Sequence, residues 1–288
     1  MYYILKIFLT IISRLPWWAL YRVSDALFFL IYHVAWYRRK VVWNNLSIAF
    51  PEKNPEVINE MSIRFYRNFS DQIVETLKLI TCDPSEINKR FEVDNTVYDR
   101  LYKEGRHVLL ASAHQFNWEW GNWTLNHNTS FRIRIIYMMV SNKVIERVVN
   151  QYRTRFGTEM IPANNLGKLM KLTESPSMTV FLADQNPSDM KRVYWTRFFG
   201  REVPVHRGLE ILAKRTDSAV VFDEITRVKR GHYKLVSKLA FENPKETHSN
   251  EITEAYTRFL EESISNQPEN WLWTHKRWKR KRPTGNNS

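Results

Sequence analysis

His114 and Glu119 are the residues whose types and spacing point first to chemistry. They stand in Ala111–Asn122, ASAHQFNWEWGN, with four residues between them. A carboxylate beside a histidine holds one ring nitrogen as a donor and stabilises the imidazolium. The other nitrogen then takes a proton from an attacking hydroxyl. In one continuous helix this spacing turns the two side chains about 140° apart. They pair only if a loop separates them and a helix starts near Asn117, a residue suited to the N-cap. The amino end of such a helix also offers N–H groups to a developing oxyanion. A hydrogen-bonded structural histidine is the plain alternative for so short a pattern. No G-x-S-x-G elbow occurs and Cys82 is distant in sequence, so direct attack of an acceptor hydroxyl on an acyl thioester is the simpler route. There is no H-E-x-x-H and no third ligand cluster, so no metal and no cofactor is expected.

A strand must end just before His114. His107–Ala113, HVLLASA, reads as that buried strand, following the turn signal Glu104-Gly105. Strands are also expected at Arg132–Met138, Met178–Ala183, Ala219–Thr226 and His232–Ser237. Helices are expected at Pro55–Ile80, Lys143–Phe156, His206–Arg215 and Asn250–Asn266, the last with Asn250 as its cap. In the first of these, Val57, Met61, Phe65, Phe69, Ile73 and Leu77 mark one apolar face. Strands alternating with helices predict an α/β domain with a parallel or mixed sheet.

The chain has 288 residues, enough for one large domain or two small ones. Its formal net charge of +13 calls for anionic partners, and its single cysteine excludes an intrachain disulfide. The amino end is different in kind. MYYILKIFLTIIS carries one charge, Lys6, and after Pro16 a second apolar run, ALFFLIYHVAWY, closes on Arg38, Arg39 and Lys40. Neither run reaches the roughly 20 apolar residues of a spanning helix. A tilted span, two shallow interfacial helices and a pair of buried core helices are the three readings. The Arg38–Lys40 cluster would hold the following residues on the cytoplasmic side. At the other end, Lys276–Arg282 holds six Lys or Arg in seven residues, suited to anionic lipid or an acidic carrier protein.

Several motifs occur in order: RRKVVWNNLSIAFPE at Arg38–Glu52, His114 with Asn117-Trp118-Glu119, NQYRTRFG with Arg153, FLADQNP with Asp184 and Gln185, FFGREVPVHRG with Arg207, and PENWLWTHKRWKRKRP at Pro268–Pro283. In these the chain resembles the late acyltransferases of lipid A biosynthesis (lauroyl and myristoyl type), within the lysophospholipid acyltransferase-like group. The resemblance implies a glycerol-phosphate-acyltransferase-like α/β fold, a mixed sheet flanked by helices, with residues 1–40 as a hydrophobic membrane anchor and 41–288 as the catalytic domain. It implies transfer of a fatty acyl chain from acyl carrier protein to a hydroxyl of a lipid A precursor at the cytoplasmic face of the inner membrane. His114 would be the general base assisted by Glu119. Arg153, Asp184, Gln185, Asn117 and Arg207 would bind substrate, Arg153 through phosphate, with Asp184 orienting Arg153 or another basic group. The expected partners are acyl carrier protein, a lipid acceptor and the anionic membrane surface. One departure is Phe116, where the family often carries Gly; it bears on chain length and acceptor preference.

Two readings of another class compete. A basic nucleic-acid-binding protein would explain the charge and the aromatics, but no recognisable motif of that kind is present and nucleic acid is not expected as a partner. A membrane scaffold would have no use for His114 with Glu119. Within the enzyme class, another lipid or a small hydroxyl- or amine-bearing acceptor is the alternative.

Overall fold

The computed structural model describes residues 2–139, 142–170, 175–190 and 193–283. Helix α1 (Tyr2–Arg14) stops short of Pro16, which caps α2 (Trp17–Phe29), and a π-helical turn (Leu30–Val34) completes that arm. Then come α3 (Arg39–Ala49), α4 (Pro55–Lys78), α5 (Pro84–Asn88), β1 (Phe91–Val93) and α6 (Thr96–Lys103). The central stretch runs β2 (Val108–Ser112), α7 (Trp118–Asn128), β3 (Arg132–Tyr137), α8 (Lys143–Thr154), β4 (Glu159–Pro162) and β5 (Ser177–Leu182). A hairpin of β6 (Val193–Phe198) and β7 (Arg201–His206) follows, then α9 (Gly208–Thr216), β8 (Ala219–Lys229), β9 (His232–Phe241) and α10 (Glu251–Asn266).

Seven strands form one mixed sheet in the order β1-β9-β8-β2-β5-β3-β4. Only β8 and β9 pair antiparallel; every other neighbouring pair is parallel. Every residue of β2 is buried. A strand covered on both faces needs no polar alternation, which is why its sequence is a continuous apolar run. The β6–β7 hairpin is a separate two-stranded ribbon. It occupies residues for which the sequence pattern predicts no strand, and β7 extends to His206, where the pattern predicts the start of a helix. The turn between them is Phe199-Gly200, both with positive φ (49° and 70°), the two left-handed residues that a tight hairpin turn requires.

Helix α4 departs from its expected pattern in an informative way. Phe65 is buried, but most buried residues of its second half are polar, among them Asn68, Asp71, Gln72 and Glu75. Each of these except Gln72 reaches across to the β8–β9 hairpin. Asp71 takes Arg227 at 2.5 Å and Arg230 at 2.7 Å, Asn68 pairs with Arg227, and Glu75 accepts from Tyr233 at 2.7 Å. Burying such groups is tolerated because they are paired. The amino-terminal arm joins the same network. Ser24 donates to Asp71 at 2.6 Å and Tyr21 to Glu75 at 3.0 Å. The Tyr21 hydroxyl lies 1.9 Å from where a Cβ on Gly231 would stand, so a larger residue in that turn would force the arm away.

Among the described residues no helix is long and apolar enough to cross a membrane. Of the readings of the expected anchor at residues 1–40, a single spanning helix is therefore not supported: α1 and α2 are 13 residues each, broken at Pro16. Within the basic end, Arg277 alone among the six Lys and Arg of Lys276–Arg282 is buried, 2% exposed with its guanidinium donating to Asn186 and to the Pro204 carbonyl; the other five are exposed.

Candidate active site

The parallel register of β2 and β5 sets Ser112 beside Leu182, and the Ala183 N–H donates to the Ser112 carbonyl at 3.0 Å. Two residues further along each chain stand His114 and Asp184. Neighbouring strands lie about 4.8 Å apart, so the shared register delivers both side chains to one place at the carboxyl ends of the sheet. His114 Nδ1 is 2.8 Å from Asp184 Oδ1. Asp184 is 2% exposed, and its second oxygen accepts from the Trp271 indole at 2.8 Å. Burial works to raise the Asp184 carboxyl. The neighbouring His114 and the hydrogen bonds from His114 and Trp271 outweigh it and hold the group below its ordinary range.

This arrangement corrects the expected pairing. The carboxylate on His114 is Asp184, not Glu119. Glu119 occupies the first turn of α7, where a negative charge suits the helix dipole, and it is engaged elsewhere. Arg153 of α8 grips it with a two-pronged contact, Nε to Oε2 at 3.0 Å and Nη2 to Oε1, while the Trp118 indole donates to Oε1 at 3.1 Å. Burial disfavours the Arg153 charge, but the Glu119 charge and hydrogen bonds prevail and its pKa is raised. The two acid–base pairs are linked through Trp118, whose ring meets the His114 ring edge-on with centroids 5.2 Å apart.

Asn117 caps α7, as its type suggested, by accepting from the Trp120 N–H at 3.3 Å. Its amide nitrogen donates to Glu75 at 3.0 Å, and the residue is fully buried. Both ends of the amide are thus used within the protein; Asn117 builds the site instead of facing a substrate. Gln185 is half-buried beside Asp184. Arg207 stands at the head of α9, with its Nε buried and lacking a hydrogen-bond partner among the described residues. Phe116 is buried, with Phe65 and Phe69 as ring neighbours at 5.8 and 6.3 Å. Its ring also meets that of Trp118, with centroids 5.8 Å apart.

Sequence reasoning missed the supporting residues. Glu75 is wholly buried, and burial first and the Asp71 charge second push its carboxyl up; it ties α4 to Asn117 and so to the loop carrying His114. His275 accepts from the Asn186 N–H at 3.1 Å. Burial first, then the charges of Arg277 and His114 against that of Asp184, take its imidazole down to about 4, so it is neutral at physiological pH. Among the described residues no three His, Cys, Asp or Glu side chains converge on a metal-binding arrangement. The signal for the His114–Asp184 pair was in the sequence all the same: two short apolar runs, each ending just before a catalytic residue type.

A family model described as bacterial lipid A biosynthesis acyltransferase matches residues 1–280. The chain is similar to the lipid A biosynthesis palmitoleoyltransferase of Escherichia coli (strain K12), 23% identical over 256 residues that make up 87% of this chain and 81% of that protein. The lipid A biosynthesis acyltransferase of Shigella flexneri matches at the same identity and coverage. The lipid A biosynthesis lauroyltransferase of E. coli (strain K12) is 22% identical over 283 residues, 96% of this chain and 90% of that protein. A match over nearly the whole length, with His114 and Asp184 joined at the open end of an α/β sheet, leaves one conclusion: the chain belongs to the bacterial lipid A biosynthesis acyltransferase family and is an acyltransferase.

Proposed function

We propose that the protein transfers a fatty acyl chain from an acyl carrier protein thioester to a hydroxyl of a lipid A precursor, with His114 as the general base. The observation that carries this reading is the His114–Asp184 pair at the carboxyl ends of β2 and β5. Asp184 accepts from Nδ1–H, which leaves Nε2 unprotonated and free to receive the acceptor hydroxyl's proton. As that proton moves, the hydroxyl oxygen attacks the thioester carbonyl and the C–O bond forms. The negative charge gathers on the carbonyl oxygen, where the amino end of α7 supplies a positive field. Collapse breaks the C–S bond, and the thiolate takes the proton from the imidazolium. Atoms and charge balance without a covalent enzyme intermediate. Arg153, aligned by Glu119, is suited to a phosphate of the acceptor. Gln185, half-buried beside Asp184, and Arg207 are the other substrate contacts of this proposal.

The acceptor is a membrane lipid, and the amino-terminal arm supplies a surface for it. Tyr3, Ile4, Ile7, Phe8 and Ile11 of α1 are all exposed and fall on one helical face. Such a face lies in the bilayer interface without crossing it, which fits a cytoplasm-facing enzyme on the inner membrane. The net charge of +13 favours both an anionic lipid surface and an acidic carrier protein.

The test is incubation of the membrane-associated protein with acyl carrier protein thioesters and lipid A precursors, read by mass spectrometry. The expected result is an acceptor heavier by one acyl group. No acyl gain on any lipid acceptor would overturn the reading. His114→Ala should lose at least ~10²-fold in rate; full activity in a folded variant rejects its role as base.

A further inference from the structure

The segment after α10 crosses the carboxyl ends of β2 and β5 and pairs with the chain around His114. Phe116 N–H donates to the Asn270 carbonyl at 2.9 Å, Leu272 N–H donates to the His114 carbonyl at 3.1 Å, and Gln115 and Trp271 face each other in an isolated antiparallel bridge. This short ladder sets the position of Trp271 relative to His114. The indole is 1% exposed and packed edge-on against Trp273 and Phe198, with ring centroids 4.7 and 6.0 Å away. Its Nε1–H points at Asp184 Oδ2 at 2.8 Å while Oδ1 faces His114. Each oxygen of the carboxylate therefore has its own donor, one from each side.

We propose that Trp271 is a positioning residue for acyl transfer: its indole N–H clamps the Asp184 carboxylate and sets how strongly that carboxylate holds the His114 proton. The role rests on His114 acting as the base. The indole carries no charge and exchanges no proton in the physiological range, so it acts only through Asp184. Its hydrogen bond draws electron density toward Oδ2 and leaves Oδ1 a weaker partner for the imidazolium. It also stops the carboxylate from rotating. With Asp184 at 2% exposure, bulk water is not at hand to take over the donor's place. Packing alone would explain a buried aromatic here, but not an indole N–H aimed at the one oxygen that His114 leaves open.

The test replaces Trp271 with benzothienylalanine by site-specific incorporation, which keeps the ring shape and substitutes sulfur for N–H. Trp271→Phe is a second, genetically simpler loss of the donor. A ring-fluorinated tryptophan at the same position makes the N–H a stronger donor with little change in shape. The readouts are the pH dependence of kcat/KM for acyl transfer and the thermal midpoint. Loss of the donor should move the acid limb of the profile to higher pH by on the order of half a unit or more and lower kcat by roughly tenfold. The fluorinated residue should move the limb the other way. An acid limb that stays in place in the fluorinated and donor-free variants would overturn the proposal, whatever happens to the thermal midpoint. A wild-type profile with no acid limb, together with full activity in His114→Ala, would instead remove the base itself and this role with it.

Discussion

At the residue scale, the site separates two jobs that the linear pattern had merged. His114 and Glu119 are close in sequence, yet the carboxylate at His114 Nδ1 comes from Asp184, 70 positions away. Glu119 serves Arg153. The two carboxylates should therefore fail differently. Asp184→Asn leaves the size of the group intact but offers His114 an amide, which can select the wrong tautomer; the expected loss in kcat is at least ~10²-fold. Glu119→Gln leaves the His114 pair in place and weakens the hold on Arg153, so its effect should fall mainly on KM for a phosphate-bearing acceptor. Steady-state kinetics of both variants against one lipid acceptor decide this. A larger kcat defect in Glu119→Gln than in Asp184→Asn would return Glu119 to the base.

At the element scale, the strands next to β2 determine what surrounds the site. β8 pairs with β2 in the register Ala111↔Phe222, which brings Asp223 beside Ser112, just below the loop to His114. Asp223 is 4% exposed and its Oδ1 has no hydrogen-bond partner among the described residues. Burial pushes its carboxyl up to about 7, against a smaller opposing effect of a hydrogen bond with Ser112. Its folded-state pKa lies above the unfolded one, so its favourable contribution is complete below about pH 4 and is lost as pH rises toward 7. The wild type should lose stability across that window, by up to about 4 kcal/mol from this group. Asp223→Asn should flatten the dependence, as read by thermal unfolding at pH 5 and pH 8. Helix α10 shows the same dependence on neighbours. Asn250 stands at its amino end, as expected from residue type, but its side chain makes no cap; Glu210 of α9 takes the Thr253 N–H at 3.0 Å and the Asn250 N–H at 2.5 Å.

At the scale of the whole molecule, the proposed membrane contact rests on the exposed apolar face of α1 and the basic net charge. Ile7→Lys together with Phe8→Lys should weaken partition onto anionic vesicles at least about tenfold. Vesicle flotation at low and high salt measures it, and unchanged flotation would remove α1 from the membrane contact. The sequence by itself determined the alternating α/β architecture, the buried strand before His114, the cap at Asn117 and, through its ordered motifs, the family. Those features depend on local periodicity, on turn and cap residue types and on short motifs, all of which are written along the chain. Only the tertiary structure decided which carboxylate serves which base. Parallel strand register joins His114 to Asp184, and a returning carboxyl-terminal segment brings Trp271 to the same carboxylate. The polar inner face of α4 was hidden for the same reason: Asp71 and Glu75 are buried because Arg227, Arg230 and Tyr233 meet them. No pattern within one helix can announce a partner that another strand supplies.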